Sequence, residues 1–360
     1  MESGPVAQSL FTDSRQPIPD PRQPIPDSRK KMLITQTPLR ISIAGGGCDL
    51  PDYYSQHGGY VVSTAIDKFI YVIVKARYDD KIYVDYSKKE IVDSIDEIQH
   101  DLVREAARLT GMPPGFEVAM MADIPSEGSG LGSSSSLTVG LLNAFYQYQG
   151  EQVGPERLAQ EACKIEIEIL GRPIGKQDQY IAAYGGLCAF EFRIDGSVGV
   201  ERIAIPPAAK RRFGSNILLF FTNIVRQASS ILTEQREKII STIEAHDQIK
   251  ALAFQTREAL YAGNFDEIGE ILHRNWELKK QLASGVTNSE IDSMYEAAIR
   301  GGASGGKISG AGGGGFLMTY CRRSNQDNLR EALSNYREMP FMLESHGSKV
   351  MFNQERYSWK

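Results

Sequence analysis

The sequence predicts an α+β protein of two domains. Stretches with strand periodicity and stretches with helical periodicity occur in both halves of the chain. The pair Pro206-Pro207 interrupts both patterns near the middle. At 360 residues the chain is long enough to bury two cores. The expected division is a disordered extension over 1–31, an N-terminal domain over 32–205 and a C-terminal domain over 206–360.

The extension is polar and proline-rich, and Arg15-Gln16-Pro17-Ile18-Pro19-Asp20 recurs as Arg22-Gln23-Pro24-Ile25-Pro26-Asp27. Such composition cannot bury a core, so it reads as disordered, with a polyproline recognition arm as the alternative. Leu33 to Ala44 reads as a strand ending in a glycine cluster. Tyr60 to Thr64 and Phe69 to Arg77 alternate with β-branched and aromatic residues and read as two more, followed by Lys81 to Asp85. Glu97 to Thr110 has helical spacing. Phe116 to Ala122 is a strand feeding a serine-rich loop. Ser134 to Tyr148 and Pro155 to Leu170 are helices, the second with Pro155 near its start and Gly171 just past its end. Gln177 to Tyr184 is a short helix before Gly185-Gly186. Leu187 to Phe192, Val198 to Ile203 and Ile217 to Thr222 are strands. Helical patterns fill Ser229 to Ala262, Asn264 to Ala283 and Glu290 to Arg300. A third glycine loop leads into the strand Phe316 to Tyr320. A helix from Gln326 to Tyr336 and strands near Phe341 and Val350 complete the pattern.

Composition excludes several classes. Net charge is −5, so no general attraction to nucleic acid or anionic membrane is expected. Four scattered cysteines and five scattered histidines show no zinc spacing and fit a reduced, cytoplasmic setting. The most apolar stretch, Tyr60 to Val74, is broken by Asp67 and Lys68, and residues 1–31 do not read as a secretory signal.

Three glycine-rich stretches carry the chemistry. They are Ala44-Gly45-Gly46-Gly47-Cys48-Asp49, Pro125 to Ser136, and Lys307 to Gly315. Glycine lets backbone N–H groups approach a bulky anion. In the middle stretch Gly128, Gly130 and Gly132 allow an anion-cupping turn, and a helix starts directly after them. The positive end of that helix suits a phosphate. Ser133 to Ser136 can cap the helix, and a hydroxyl among them can ligate magnesium. The third stretch nearly forms a P-loop at Gly301-x4-Gly306-Lys307, but Ile308 stands where Ser or Thr is needed. Its match to a dinucleotide fingerprint fails too, because a strand follows where a helix is required. What remains is a flexible backbone surface for close approach by substrate or phosphate. The chain therefore reads as a phosphoryl-transfer enzyme.

Further along, Leu158, Ala162, Ile165 and Ile169 mark the buried stripe of one helix. At roughly 100° per residue Glu166 lies about 60° from its centre and Glu168 about 100° away. Glu166 is the carboxylate expected in a cleft, where it would suit magnesium, and Glu168 faces solvent. Asp178, at a helix edge, is either a cap or a functional carboxylate. Asp49 can accept from sugar hydroxyls or merely form an Asx-turn. Arg226, after a strand, is a candidate for a substrate's distal phosphate. The pair Lys279-Lys280 reads rather as solvated charge on a helix face.

The three loops resemble the three signature motifs of the GHMP small-molecule kinases, from about Thr37 to the C-terminus. Within that family the chain is most similar to bacterial kinases acting on heptose 7-phosphates. The similarity rests on Thr37-Pro38-Leu39-Arg40-Ile41-Ser42, Gly45 to Asp49, Thr64 to Lys68, Gly175 to Gly186 and Gly305-Gly306-Lys307. It implies an N-terminal ribosomal protein S5 domain 2-like unit and a C-terminal ferredoxin-like α+β unit. It implies ATP and Mg2+, held by Pro125, Gly128, Gly130, Leu131, Gly132, Ser133, Ser134 and Ser135, with the metal on Ser134 and Glu166. It makes Asp178 the catalytic aspartate and Arg40 a basic residue near it, and Lys176, two positions before Asp178, is expected to join them in the catalytic group. Gly46, Gly47, Asp49, Arg226, Lys307, Gly312 and Gly313 would bind substrate. The reaction implied moves the γ-phosphoryl of ATP to the anomeric hydroxyl of D-glycero-D-manno-heptose 7-phosphate. Alternatives are another sugar or sugar phosphate (fucose-, galactose- or mannose-like), or a non-catalytic sugar-binding relative. One departure bears on the sugar: Cys48 stands where such relatives usually have Thr. Expected partners are the sugar phosphate and ATP, without nucleic acid or membrane. A homodimer is left open.

Overall fold

The computed structural model describes Met1 and residues 31–125, 128–225 and 228–354. The N-terminal repeat and Arg226 lie outside the described residues. Strand β1 (Met32–Ala44) pairs antiparallel with β2 (Gly59–Ala76), and α1 (Pro51–His57) sits between them in the chain. There follow β3 (Ile82–Asp85), β4 (Lys89–Val92), α2 (Asp101–Thr110) and β5 (Phe116–Ala122). Next come α3 (Ser133–Gln149), α4 (Pro155–Cys163), α5 (Gln177–Tyr184), β6 (Leu187–Phe192) and β7 (Val198–Arg202). The chain continues through α6 (Pro207–Ser215), β8 (Ile217–Phe221), α7 (Ala228–Glu237), α8 (Ile243–Ala262), α9 (Phe265–Lys279) and α10 (Ser289–Arg300). Strands β9 (Gly305–Ile308) and β10 (Phe316–Tyr320), helix α11 (Gln326–Ala332) and strand β11 (Lys349–Gln354) follow.

Two sheets result. In the larger, the order β11-β1-β2-β5-β3-β4 is joined by β6 and β7, with β6 on the first half of β2 and β5 on the second. The smaller is an antiparallel β8-β10-β9. Helix α3 packs on β1 and β2, so Leu39, Ile41 and Ile43 share one core cluster with Val139, Leu142 and Phe145. A second cluster joins Trp276 and Ile291 to Leu317 of the small sheet.

Several expectations are corrected. The two strands read at Tyr60 to Thr64 and Phe69 to Arg77 are one. Pro38 pairs with Phe69 and Leu39 with Ile66, so Asp67 and Lys68 bulge out of the ladder. The Asp67 carboxylate accepts from the Met342 N–H and from Lys68, which holds the bulge. The helical pattern from Ser229 to Ala262 breaks into α7, a 3-10 turn over Ile239–Thr242, and α8. Ser241 and Thr242 hydroxyls both donate to the Lys238 carbonyl there, competing with the helix ladder. After α4 the chain runs on as a π-helical turn, Lys164–Ile169. That turn rotates Ile169 outward to 46% exposure, whereas the 3.6-residue period placed it in the buried stripe. Finally, β11 returns to pair with β1, so these last described residues join the larger sheet and not the small one.

Candidate active site

All three glycine stretches open onto one cleft. The second and third pack backbone against backbone. A Cβ on Gly130 would lie 2.5 Å from the Ser309 carbonyl oxygen, and one on Gly310 2.7 Å from the Gly130 Cα. Both glycines also have positive φ, 71° and 66°. Side chains would push the loops apart.

The sequence expectation that serines cap α3 is not met. Gly132 is the N-cap residue and no side chain caps the helix. The first-turn N–H groups therefore keep their donor capacity at the positive end of the helix, beside the cleft. Ser133 and Ser134 line that cleft, Ser134 with its side chain exposed to it. Ser136 donates to the Pro38 carbonyl at 2.8 Å, which ties the helix start to β1.

Arg40 and Asp178 meet as a fork. Arg40 Nε donates to Asp178 Oδ1 and its Nη2 to Oδ2, each at 2.6 Å, and its Nη1 donates to the Gly130 carbonyl at 2.7 Å. Arg40 is buried and Asp178 is 23% exposed to the cleft. A bidentate pair fixes the carboxylate plane while leaving lone pairs free for a ligand hydroxyl. Gly132 makes room for it, since a Cβ there would sit 3.2 Å from Asp178 Oδ2. Lys176 stands apart from this pair: its ammonium donates to the Gly196 carbonyl at 2.8 Å and lies 5.0 Å from the centre of the Tyr54 ring. It does not line the cleft.

Asp49 is buried at the start of α5. Its Oδ1 accepts from the Gly47 N–H and the Gln177 amide, both at 3.1 Å, and Oδ2 from the Gln177 N–H at 3.2 Å. Burial, with the nearby charge of Asp178, pushes its pKa up against those hydrogen bonds. It both supports α5 and lines the cleft, so the two readings of Asp49 coexist. Gly46 and Gly47 line it too.

Glu168 is exposed, as expected, whereas Glu166 is fully buried behind α3 and does not line the cleft into which the helical wheel turned it, although Ser134 and Ser135 beside it do. Its Oε2 accepts from Gln179 at 2.8 Å and Oε1 from Arg172 at 3.2 Å. Burial raises its pKa, while the Ser135 and Ser134 hydroxyls and the Arg172 charge pull it down. The Ser135 hydroxyl has no hydrogen-bond partner of good geometry. A carboxylate beside two serine oxygens, one of them orphaned, is an all-oxygen donor set and fits a magnesium ion.

Remaining expectations divide. Gly128, Lys307 and Gly312 line the cleft. Leu131 is core instead, and its carbonyl accepts from the Arg40 N–H. Gly313 bonds the Val286 carbonyl and does not line the cleft. Pro125 lies on a second, apolar cavity that shares Ser129 with the cleft and is walled by Phe221, Val225, Phe316 and Met339.

Sequence reasoning set Lys279 aside as solvated. It is instead buried in the cleft, donating to the carbonyls of Ile308, at 3.1 Å, and Gly310, while Lys280 pairs at the surface with Glu277. Spacing offered a faint signal: Ile268, Ile271, Leu272 and Asn275 of the same helix lead to Lys279 along one buried face. Gln177, Ser42 and Ser309 were missed, because single polar residues beside glycine loops carry no pattern.

Loops, helix start and carboxylates in this arrangement are those of a small-molecule kinase. Residues 97–186 match the GHMP kinases N terminal domain and residues 256–338 the GHMP kinases C terminal family. The chain belongs to the GHMP kinase family. A D-glycero-alpha-D-manno-heptose 7-phosphate kinase from Campylobacter jejuni is 35% identical over 84% of this chain and 93% of its own length. Among solved structures, a D-glycero-D-manno-heptose 1-phosphate kinase from Bacteriodes thetaiotaomicron superposes with a TM-score of 0.75 at 27% identity, covering 91% of this chain and all of that one. A putative sugar kinase from Campylobacter jejuni gives 0.74 at 32% identity with the same coverage.

Proposed function

We propose that this chain transfers the γ-phosphoryl group of ATP to the anomeric hydroxyl of D-glycero-D-manno-heptose 7-phosphate, giving the 1,7-bisphosphate and ADP. The observation that carries this reading is the Arg40–Asp178 fork set against the start of α3, where a carboxylate faces an anion-binding loop across one cleft. The similarity to a heptose 7-phosphate kinase over most of both chains supplies the sugar.

Phosphoryl transfer needs positioning and charge neutralisation more than covalent help. The α3 N–H groups and the loop over Gly128 to Gly132 would receive the phosphates, and the apolar cavity at Pro125 and Phe316 the nucleotide base. Ser134 and Glu166 would hold magnesium, which when bound neutralises charge on the phosphate oxygens. Asp178 accepts a hydrogen bond from the anomeric hydroxyl and aims its oxygen at the γ-phosphorus. The new O–P bond forms as the bond to the ADP oxygen breaks, and the hydroxyl proton passes to Asp178 and on to solvent. Arg40 holds the carboxylate in place, so orientation is the main contribution of Asp178.

The names of the two relatives differ on where the substrate's existing phosphate sits. Phosphorus NMR of the product from heptose 7-phosphate and ATP separates the readings. A new signal from a phosphate on the anomeric carbon supports the proposal, and one at any other carbon contradicts it. A panel with fucose, galactose and mannose tests the other acceptors.

A further inference from the structure

That mechanism leaves two buried cations unused. Lys307, on β9, is 2% exposed and lines the cleft, and among the described residues no carboxylate forms an ion pair with its ammonium. Lys279, at the end of α9, lines the same cleft and spans the carbonyls of Ile308 and Gly310. Between those carbonyls lies Ser309, whose buried hydroxyl also lines the cleft and has no partner. Arg40 is near, but its guanidinium is committed to Asp178 and Gly130.

This wall offers donors and positive charge without a bound counter-charge of its own. An unpaired buried ammonium beside two other cations is unfavourable and calls for an anion. Burial and the Arg40 charge push Lys279 down to about 7, burial and the charges of Lys279 and Arg40 push Lys307 down, and the carboxylate whose charge opposes both is Asp49. Two ammonium groups and a hydroxyl match the several acceptor oxygens of a phosphate monoester. The triphosphate already has the α3 start, so the second phosphate source is the sugar.

We propose that Lys307, Lys279 and Ser309 seat the phosphate that the acceptor sugar already carries, and so select a sugar phosphate over the free sugar. This rests on the sugar-phosphate kinase reading above and names the group that wall recognises.

Steady-state kinetics of wild type, Lys307→Met and Ser309→Ala test it, with D-glycero-D-manno-heptose 7-phosphate and the unphosphorylated heptose as acceptors. Lys307→Met is expected to raise KM for the 7-phosphate about 10- to 100-fold, the worth of a lost charge-assisted hydrogen bond. The ratio of kcat/KM for the 7-phosphate to kcat/KM for the free heptose should fall by a similar factor without a rise in KM for ATP, because ground-state binding of the sugar's phosphate is what is removed. Ser309→Ala should act in the same direction by about fivefold, and it carries the test if Lys307→Met does not fold. Equal losses on both acceptors, or a rise in KM for ATP, would overturn the proposal. A wild-type enzyme that takes the free heptose as readily as its phosphate would overturn it too, and leave the kinase reading standing. If the new phosphate forms away from the anomeric oxygen, the reaction proposed above fails while the contrast between the two acceptors still decides this inference.

Discussion

Asp178 and Arg40 work as a unit because two parallel hydrogen bonds set the carboxylate's plane. A lysine at position 40 keeps the charge and loses the fork. Arg40→Lys should lower kcat by about 100-fold, the scale of a misplaced reacting group, with KM for ATP little changed. An ADP-release assay measures both, and unchanged kcat would count against the positioning role. Lys279 gives a pH signature. Its pKa falls from 10.5 to about 7 in the folded chain. Between those values the unfolded chain holds a proton that the folded one lacks, so stability from this group rises with pH across the window. Relative to Lys279→Met, the ligand-free wild type should gain up to about 1.4 kcal/mol per pH unit from neutral to mildly alkaline pH. Urea titrations at several pH values read this difference, and parallel curves would contradict it. The Arg40–Asp178 pair was legible through motif resemblance. Lys279 was not, since a helix sequence states which residues are polar but not which polar residue a neighbouring loop covers.

Among the elements, the two glycine loops depend on each other. Gly130→Ala adds a Cβ 2.5 Å from the Ser309 carbonyl at a backbone φ of 71°. The left-handed conformation alone costs about 1–2 kcal/mol for a residue with a Cβ. The variant should melt lower and lose most activity, with KM for ATP raised, because the phosphate loop is displaced. Near-normal kinetics would show that the loops need not touch. The glycine stretches were visible in the sequence, as was the α3 start. Their contact was not, because it joins residues about 180 positions apart through backbone alone. The π-helical turn was equally hidden: it starts at Lys164, so the 3.6-residue reading still gives Glu166 as a buried position near the start of the turn but has drifted off by Ile169 at its end.

At the scale of the molecule, the last described strand closes the first sheet. β11 covers the edge of β1 from Met32 to Gln36, and Ser348 just before it bonds Thr37 and Asn143. A chain ending at Gly347 should melt lower and self-associate, because a bare edge pairs with other chains. Differential scanning fluorimetry and light scattering would show it, and an unchanged, monodisperse truncated protein would contradict it. The α+β class and most element positions were legible from periodicity. The return of the chain end was not, because register between distant strands is decided by packing. The cleft depends on this whole arrangement, and one measurement tests its function most directly. Wild type and Asp178→Asn are given ATP, magnesium and D-glycero-D-manno-heptose 7-phosphate, and the products are followed by phosphorus NMR. The expected result is a 1,7-bisphosphate from the wild type, formed about 100- to 10,000-fold more slowly by a still-folded Asp178→Asn. Near-wild-type turnover by that variant, or a new phosphate on any other carbon, would contradict the account.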